Sequence, residues 1–248
     1  MSSIPVAYQS GLSDLEWLLL TTPDDTEEAP WMTMPDFQWR IITLLHSILR
    51  RHADEQGLAW YLAAELKVAM PRRLTPRSLD LGPDLLMAEA ADAERTSWQV
   101  EREGGPPLLV LEVVTEESWT RDTVEKPQLY KAMGVREYVI FAPERTDGGA
   151  VLFGYHRDAA GAWGPWEPDG RGMLRSGALG GLRLYAEGKR LRARDRRGRR
   201  LLSDQEAAAQ EAVRAEREAA RADQEGARAD AAEAKLRRLY ELYGHVEE

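Results

Sequence analysis

The first long pattern of hydrophobic and polar positions lies in the segment "DFQWRIITLLHSILRRHADEQG", which spans residues 36–57. Apolar residues recur there every three or four positions, which is the spacing of one face of an α-helix. The members of this face are Trp39, Ile42, Leu45, Ile48 and Leu49. Gly57 follows them and is a favourable residue for ending a helix. The pattern predicts a helix of about five turns with one buried face.

Four later segments have the short apolar runs that are typical of β-strands, namely "AWYLAAELKVAM", "PDLLMAEA", "PPLLVLEVVT" and "EYVIFAP". A helical segment that opens near "RDTVEK" separates the last two, so the predicted order is α-β-β-β-α-β. The first three strands form an antiparallel meander, whereas the helix lets the fourth run parallel to the third. We therefore predict an α/β fold with a mixed sheet and helices on its faces. The segments "VLFGYHRD", "WGPWEPDG" and "LRLYAEG" add short strands and turns.

Residues 203–248 contain no proline, are rich in alanine and intersperse charges of both signs, which predicts one long helix. Its apolar residues recur at intervals of seven and then of three and four, at Val213, Ala220, Ala227, Ala234, Leu236, Leu239 and Tyr243. This spacing indicates a coiled-coil seam for a second copy of the chain or for a partner helix. Alanine is a weak seam residue and Gly226 lowers helix propensity. A single solvated helix held by local charge pairs is therefore the alternative.

The segment before this tail, "EGKRLRARDRRGRR" at residues 187–200, has eight basic and two acidic residues and a net charge of +6. Apolar and basic positions alternate in it, which predicts a half-exposed strand followed by a hairpin turn at "DRRG". Such a cluster could contact phosphates, or it could be a solvated edge strand whose charges prevent aggregation. The candidate nucleic-acid-binding residues are Arg192, Arg194, Arg196 and Arg197.

Composition narrows the class of protein. The chain has 248 residues, of which 43% are hydrophobic and 30% charged, enough for one domain and an appendage. We divide it into an N-terminal extension (1–30), a main domain (31–202) and the helical tail (203–248). Cysteine is absent, and the N terminus lacks the basic and apolar regions of a signal peptide, so we expect a cytoplasmic protein without a membrane span. The net charge of −9 argues against broad nonspecific binding to nucleic acid.

Two carboxylates stand out because they lie in strands that the pattern predicts to be buried. Asp84 opens one strand directly after Pro83, and Glu112 lies inside the next, on the same side as Val110 and Val114. Burying an ionised carboxylate is costly unless cations or hydrogen-bond donors compensate it. An antiparallel meander brings the two groups together at a strand spacing of about 5 Å, so one magnesium or manganese ion could bridge them. Each residue alone could instead be a turn cap or the partner of an arginine.

Several stretches resemble the Uma-two family, also called domain of unknown function 820, a branch of the PD-(D/E)xK nuclease superfamily. They are "GPDLLMA", "PPLLVLEVVTEES", "TRDTVEKPQLYKAMGVREYVIF" and "SGALGGLRLY". The likeness covers roughly residues 30–202, and a charged, alanine-rich helical tail is also common in that family. The resemblance implies a restriction-endonuclease-like fold, with the α-β-β-β-α-β order as its core.

The resemblance also implies roles for individual residues. Asp84 and Glu112 would bind catalytic Mg²⁺ or Mn²⁺, with the Val113 carbonyl as a further ligand and Glu65 as an auxiliary one. The lysine that the superfamily usually has two residues after the strand acid is replaced here by Val114. The family has a lysine in the following helix instead, which is Lys126, with Asp122 and Tyr130 one turn to either side. Pro127 then requires either that the helix begins near Val124 or that it is kinked.

The function that these residues predict is metal-dependent hydrolysis of phosphodiester bonds in DNA, with Asp84, Glu112 and Lys126 as the catalytic residues. One alternative is a degenerate nuclease fold that binds nucleic acid or protein and oligomerises through its tail. Another is an enzyme of a different class on the same core, which acts on RNA or on a modified nucleic acid. The four histidines have no metal-ligand spacing, and the glycine-rich stretches do not open a helix as a phosphate-binding loop does.

Overall fold

The computed structural model describes residues 13–22, 35–75, 79–144 and 149–244. Four α-helices lie in these ranges: α1 (Asp14–Thr21), α2 (Asp36–Gln56), α3 (Lys126–Met133) and α4 (Asp204–Tyr243). The strands that precede α3 are β1 (Trp60–Ala64), β2 (Val68–Ala69), β3 (Asp80–Leu81), β4 (Leu85–Glu89), β5 (Trp98–Gln99) and β6 (Leu109–Val113). Those that follow it are β7 (Glu137–Ala142), β8 (Val151–Arg157), β9 (Trp163–Trp166), β10 (Met173–Arg175), β11 (Arg183–Glu187) and β12 (Arg190–Arg194).

The central sheet has six strands in the order β1-β4-β6-β7-β8-β9. Strands β6 and β7 are parallel, and the other neighbouring pairs are antiparallel. The elements α2, β1, β4, β6, α3 and β7 therefore occur in the predicted α-β-β-β-α-β order, and the mixed α/β sheet is confirmed. Two further sheets of three strands each, β3-β2-β5 and β10-β11-β12, complete this part of the chain.

Each face of the central sheet has its own hydrophobic cluster. One cluster joins Leu111 and Val113 to the buried face of α2 and to the sheet β10-β11-β12. The other joins Val110 and Val114 to α3 and to the sheet β3-β2-β5. Alternate residues of β6 thus enter opposite clusters, which is why this strand is apolar at every position except Glu112.

Helix α2 agrees with the predicted pattern except at its start. Ile42, Leu45, Ile48 and Leu49 are buried, and Gly57 ends the helix in the left-handed conformation with a φ of 63°. Trp39 is wrongly predicted as a core residue, because 52% of it is exposed. The contact of α2 with the sheet begins later in the chain, at Ile41, so the first turn carries no buried side chain.

The chain divides by its internal contacts into two units, one ending at Ser203 and one beginning at Asp204. Helix α4 in the second unit continues through Gly226 without a break and is about 60 Å long. Ala234 and Leu236 are two positions apart and face nearly opposite sides of an α-helix, so the two predicted sets of seam residues do not form one stripe. The predicted boundary at residue 30 lies outside the described residues. Among the helices described, none is long and apolar enough to cross a bilayer.

Candidate active site

Strands β4 and β6 bring Asp84 and Glu112 together. Leu85 pairs with Leu111 in the antiparallel register, so the next positions, Asp84 and Glu112, lie opposite each other. Glu112 is only 2% exposed and occupies the face of the sheet that packs against α3, as predicted from its position in the strand. The Asp84 N–H lies 3.4 Å from Glu112 Oε2. Two carboxylates from adjacent strands therefore share one buried edge.

Lys126 reaches this edge from the element that follows β6. A turn of π-helix, Arg121–Glu125, precedes α3, and α3 begins at Lys126 itself. Pro127 is therefore the second residue of α3 and follows directly after the π-turn. The π-turn before Pro127 is wider than an α-helical turn and directs the Lys126 side chain towards the sheet. The α-helix thus neither begins at Val124 nor breaks at the proline.

The Lys126 ammonium has three oxygen partners. Its Nζ lies 3.0 Å from Glu112 Oε1, 3.1 Å from Asp122 Oδ1 and 3.3 Å from the Gly82 carbonyl oxygen. Burial lowers the pKa of the ammonium, but the charges of Glu112 and Asp122 outweigh burial and raise it. Lys126 is therefore positively charged at neutral pH and is held in one position.

Burial raises the pKa of both strand carboxyls. The pKa of Asp84 is about 6, because loss of hydration outweighs the hydrogen bond from the Val113 N–H (2.6 Å) and the charge of Lys126. The pKa of Glu112 lies well above its usual value for the same principal reason, despite the attraction of Lys126. Three carboxyl groups, those of Asp84, Glu112 and Asp122, thus lie near the Lys126 ammonium and outnumber the positive groups, although the nearby Arg121 guanidinium adds a second positive charge.

This donor set fits a divalent cation. Asp84 and Glu112 supply hard oxygen atoms, which Mg²⁺ and Mn²⁺ prefer, and the excess of negative charge favours a cation at this edge. In the ranges that the structure describes, no group of three histidine, aspartate or glutamate side chains has metal-site geometry. A third protein ligand would therefore come from the main chain, and the Val113 carbonyl is adjacent.

Gln38 is a site residue that the sequence analysis missed. It lies in the first turn of α2, and its Nε2 donates a hydrogen bond of 2.5 Å to the Val113 carbonyl oxygen. The two residues are 75 positions apart, so no spacing rule connects them. The only signal in the sequence is a glutamine between Phe37 and Trp39 at the start of a helix.

Glu65 lies close to Asp84 and is exposed, whereas Tyr130 is buried in the core. Glu65 follows β1, is exposed, has a φ of 53° and donates its N–H to the Asp84 carbonyl oxygen at 3.1 Å. Its charge also raises the pKa of Asp84, so it is near the site, and its role as an auxiliary ligand stays a prediction. Tyr130 is fully buried beside Tyr138, whose hydroxyl donates to the Asp122 carbonyl oxygen at 2.7 Å. Tyr138 thus joins β7 to the π-turn, and Tyr130 packs against Tyr138.

An open cleft of about 1190 Å³ begins next to Val114, at the carboxyl ends of β6 and β7. Phe37 and Trp119 contribute aromatic surface to it, and Lys189, which contacts Glu144, forms part of its rim. Crevices at the carboxyl ends of parallel strands are the usual ligand sites of α/β sheets. Asp84, Glu112 and Lys126 do not line this cleft, whose lining residue nearest to them in the sequence is Val114, two positions after Glu112.

The basic segment does not have the predicted arrangement. Arg192 is completely buried because both faces of β12 are covered, and its Nε lies 3.8 Å from Glu187 Oε2. The prediction that Arg192 faces solvent and contacts phosphates is therefore wrong. Arg194 and Arg196 are partly or fully exposed, yet they donate to the carbonyl oxygens of Gly198 and Gly180. "DRRG" does form the predicted turn, in which Gly198 donates its N–H to the Asp195 carbonyl oxygen.

The basic turn also lies away from the two carboxylates. Lys189, in the turn between β11 and β12, lines the cleft together with Val114. Arg199 and Arg200, beyond the opposite end of β12, line another pocket with His52 near the end of α2. The five residues of β12 separate the two ends by about 17 Å. The structure thus brings Asp84, Glu112, Val113 and Lys126 together but leaves the basic turn outside this group.

Comparison with known proteins found one matching family model and a few solved structures. The family model Uma2, described as "Putative restriction endonuclease", matches residues 27–186. One solved structure, titled as a "putative nuclease belonging to DUF820" from Anabaena variabilis, is 13% identical, with a TM-score of 0.44 over 62% of this chain and 80% of that chain. No protein with a curated description matches the sequence. Because the family model spans more than half of the chain and includes the whole carboxylate and lysine site, the chain belongs to the Uma2 family.

Proposed function

We propose that this protein is a metal-dependent endonuclease that hydrolyses phosphodiester bonds in DNA. The observation that carries the proposal is the buried contact between Lys126 and Glu112, beside Asp84 on the adjacent strand. Asp84, Glu112 and the Val113 carbonyl would hold Mg²⁺ or Mn²⁺. When bound, the cation supplies Lewis-acid stabilisation of the negative charge that develops on the phosphate.

The residues of the chain divide the remaining tasks. The Lys126 ammonium is held by Glu112, Asp122 and the Gly82 carbonyl oxygen, so one of these contacts would open for an N–H to donate a hydrogen bond to a phosphate oxygen, where the positive charge would offset the negative charge that develops. Asp84 is about nine-tenths ionised one pH unit above its pKa of about 6, so it is an anionic ligand at neutral pH. Burial of Glu112 excludes bulk water from that side of the site.

The test is cleavage of a supercoiled plasmid by the full chain with Mg²⁺ or Mn²⁺ and with a chelator. Cutting should require the cation, and Asp84→Asn, Glu112→Gln and Lys126→Ala should each abolish it in folded protein. Glu89→Gln is the matched control, because Glu89 is an exposed acid at the other end of β4. No cutting of duplex DNA, single-stranded DNA or RNA by the folded wild-type protein would contradict the proposal, whereas cutting of RNA alone would contradict only its choice of substrate.

A non-catalytic binding module is the second candidate. It is favoured by the three partners that already surround the Lys126 ammonium and by the acidic residues Glu116, Glu117 and Glu144 along the cleft. Negative charge along a cleft repels a phosphate backbone unless cations intervene. Metal-dependent binding of DNA without cutting, in the presence of either cation, would favour this candidate over the endonuclease.

Arg197 is the remaining test of the basic turn as a DNA contact. The turn lies away from the cleft, but Arg197 is exposed, and no side-chain hydrogen bond or ion pair of its guanidinium occurs with the described residues. If it contacts a phosphate, Arg197→Gln should weaken DNA binding and flatten the salt dependence by about one unit of logarithmic slope. Arg175→Gln, an exposed arginine on β10, is the control. An unchanged slope would mean that the turn is only a solvated surface.

A further inference from the structure

The N–H and C=O groups of Val113 lie just beyond the last residue pair between β4 and β6. Successive residues of a strand direct their peptide groups to alternate sides. The Val114 N–H donates to the Phe141 carbonyl oxygen of β7 at 2.8 Å, so the peptide atoms of Val113 face the β4 side. Extending the register from Leu85 and Leu111 places Pro83 opposite Val113. Proline has no N–H, so strand pairing cannot satisfy the Val113 carbonyl there.

Two side chains take the place of the missing strand partner. Asp84 Oδ2 accepts the Val113 N–H at 2.6 Å, and Gln38 Nε2 donates to the Val113 carbonyl oxygen at 2.5 Å. Gln38 is supported by the helix behind it, because Ile41 and Ile42 anchor α2 in the core one turn later. The N–H and the carbonyl oxygen of Val113 are thus each hydrogen-bonded to a side chain, and the two side chains belong to different elements.

We propose that Gln38 is a positioning residue of the site, which holds the Val113 carbonyl in place as a ligand for the divalent cation. This inference rests on the proposed function. A carbonyl oxygen has two lone pairs, so it can accept the Gln38 hydrogen bond and bind a cation at the same time. Among the described residues, Gln38 is the donor to this carbonyl, so its loss would leave the carbonyl less firmly held.

Gln38 is uncharged, and this distinguishes it from a glutamate at the same position. Three carboxyl groups already lie at this edge of the sheet: Glu112 and Asp122 contact Lys126, and Asp84 accepts the Val113 N–H. A glutamate at position 38 cannot donate to the Val113 carbonyl and adds a fourth negative charge, so the metal-free protein should be less stable. The same carboxylate supplies a negatively charged oxygen beside a cation and should restore metal affinity.

The experiment is calorimetric titration of the full chain with Mn²⁺ alone, together with thermal unfolding with and without Mn²⁺. Loss of a residue that orients a metal ligand typically weakens metal binding 10–100-fold, and we expect this of Gln38→Ala. Gln38→Glu should lower the unfolding temperature of the metal-free protein, bind Mn²⁺ at least as tightly as wild type, and show a larger Mn²⁺-induced rise in unfolding temperature. Trp39→Ala is the control, because Trp39 is an exposed neighbour on the same turn, and it should bind Mn²⁺ as wild type does.

The outcomes separate this inference from the proposed function. Mn²⁺ affinities of Gln38→Ala and wild type that agree within twofold would overturn the role of Gln38 and leave the metal site standing. Equal weakening of Mn²⁺ binding in Gln38→Ala and in the control Trp39→Ala would also overturn it, because both variants would then act through a general loss of structure. Absence of Mn²⁺ binding by the wild-type protein would overturn the metal site, and this inference with it.

Discussion

At the scale of single residues, the site is a cluster of buried charges whose signs do not balance. Asp84, Glu112 and Asp122 contribute three carboxyl groups, and Lys126 is the ammonium that contacts Glu112 and Asp122. The spacing of the strands was enough to predict that Asp84 and Glu112 meet, because the register follows from the apolar pattern. The contact of Lys126 with Asp122 was predictable from helical spacing, but its contact with Glu112 depends on the tertiary fold.

The raised pKa of Asp84 makes the stability of the metal-free protein depend on pH. Asp84 has a pKa of about 6 in the folded chain, against a usual value of 3.8. Its contribution to stability is therefore fully present below about pH 3.8 and is lost as the pH rises through about 6. This difference corresponds to about 3 kcal/mol of unfolding free energy.

We therefore expect Asp84→Asn to raise the free energy of unfolding of the metal-free protein at neutral pH, by up to about 3 kcal/mol, and to remove the dependence between about pH 4 and 6. Urea unfolding in chelator at several pH values measures this. Added Mn²⁺ should stabilise the wild-type protein and leave Asp84→Asn almost unchanged. An asparagine variant less stable than wild type at neutral pH would show that the Asp84 charge is compensated without metal.

Lys126 and Glu112 form a pair whose members should be mutually dependent. Lys126→Met leaves Glu112 and Asp122 buried without their cation, which should cost about 3–5 kcal/mol. The double variant Lys126→Met with Glu112→Gln removes one of these charges and should recover part of that loss. Chemical denaturation of the two single variants and the double variant gives the coupling energy. Purely additive losses would mean that the ion pair contributes nothing to the fold.

At the scale of elements, the start of α3 is decided by a π-turn and a proline together. The π-turn, Arg121–Glu125, provides about one extra residue per turn, and the chain then continues from Lys126 as an ordinary helix with Pro127 as its second residue. The proline is visible in the sequence but the π-turn is not, because a single widened turn within a helix has no characteristic sequence pattern. The position of Lys126 at this junction is what lets its side chain reach β6.

The turn in "SGALGG" is a second element that only the structure explains. Glu137, the first residue of β7, accepts hydrogen bonds from Ser176 Oγ (2.5 Å), the Gly177 N–H (2.7 Å) and the Ala178 N–H (3.1 Å). Burial raises the pKa of Glu137, and these three donors partly oppose that rise. One carboxylate thus fastens the turn before β11 to the central sheet, at the end of β7 opposite the candidate site.

Glu137→Ala should therefore destabilise the fold by about 2–4 kcal/mol, since it leaves several buried donors without an acceptor. Ser176→Ala should cost only about 1 kcal/mol, because it removes one donor and leaves the carboxylate in place. Urea unfolding at neutral pH compares the two variants. Similar small losses in both would mean that water replaces the carboxylate, and Mn²⁺ affinity should stay unchanged in either variant because the turn lies far from Asp84.

At the scale of the whole molecule, the tail helix exposes apolar residues over its last two turns. Leu236, Leu239, Tyr240 and Tyr243 follow one another at intervals of three, one and three residues, and all are exposed. This spacing gives an apolar stripe near the C-terminal end of α4. Over the remainder of the helix, charge pairs such as Arg214 with Glu218 (2.7 Å) stabilise a solvated helix without a partner.

We expect self-association to depend on that stripe and not on the earlier series of alanines. Leu236→Glu in the full chain should shift a dimer toward the monomer mass of 28.0 kDa in light scattering at micromolar concentration. Ala234→Glu is the control, because it adds the same charge at the same end of the helix but on the opposite side. Equal monomer masses for wild type and both variants would contradict self-association and leave a single solvated helix.

The sequence by itself determined the order of elements, the faces of β6 and the meeting of Asp84 with Glu112. These features follow from local periodicity, which has one solution once an apolar face must be buried. It also determined that residues 204–243 are helical, because alanine-rich sequence without proline needs no tertiary partner to favour that conformation.

Only the tertiary structure decided which polar groups are compensated. Arg192 is buried although it alternates with apolar residues, since alternation says which residues share a face but not whether a second layer covers it. Gln38 joins the site because a helix start and a strand end, far apart in the chain, meet at a carbonyl that Pro83 leaves without a partner. Such contacts form because long-range packing brings a donor to a backbone group that has no strand partner. Neither the packing nor the unpaired group produces a periodic pattern in the sequence.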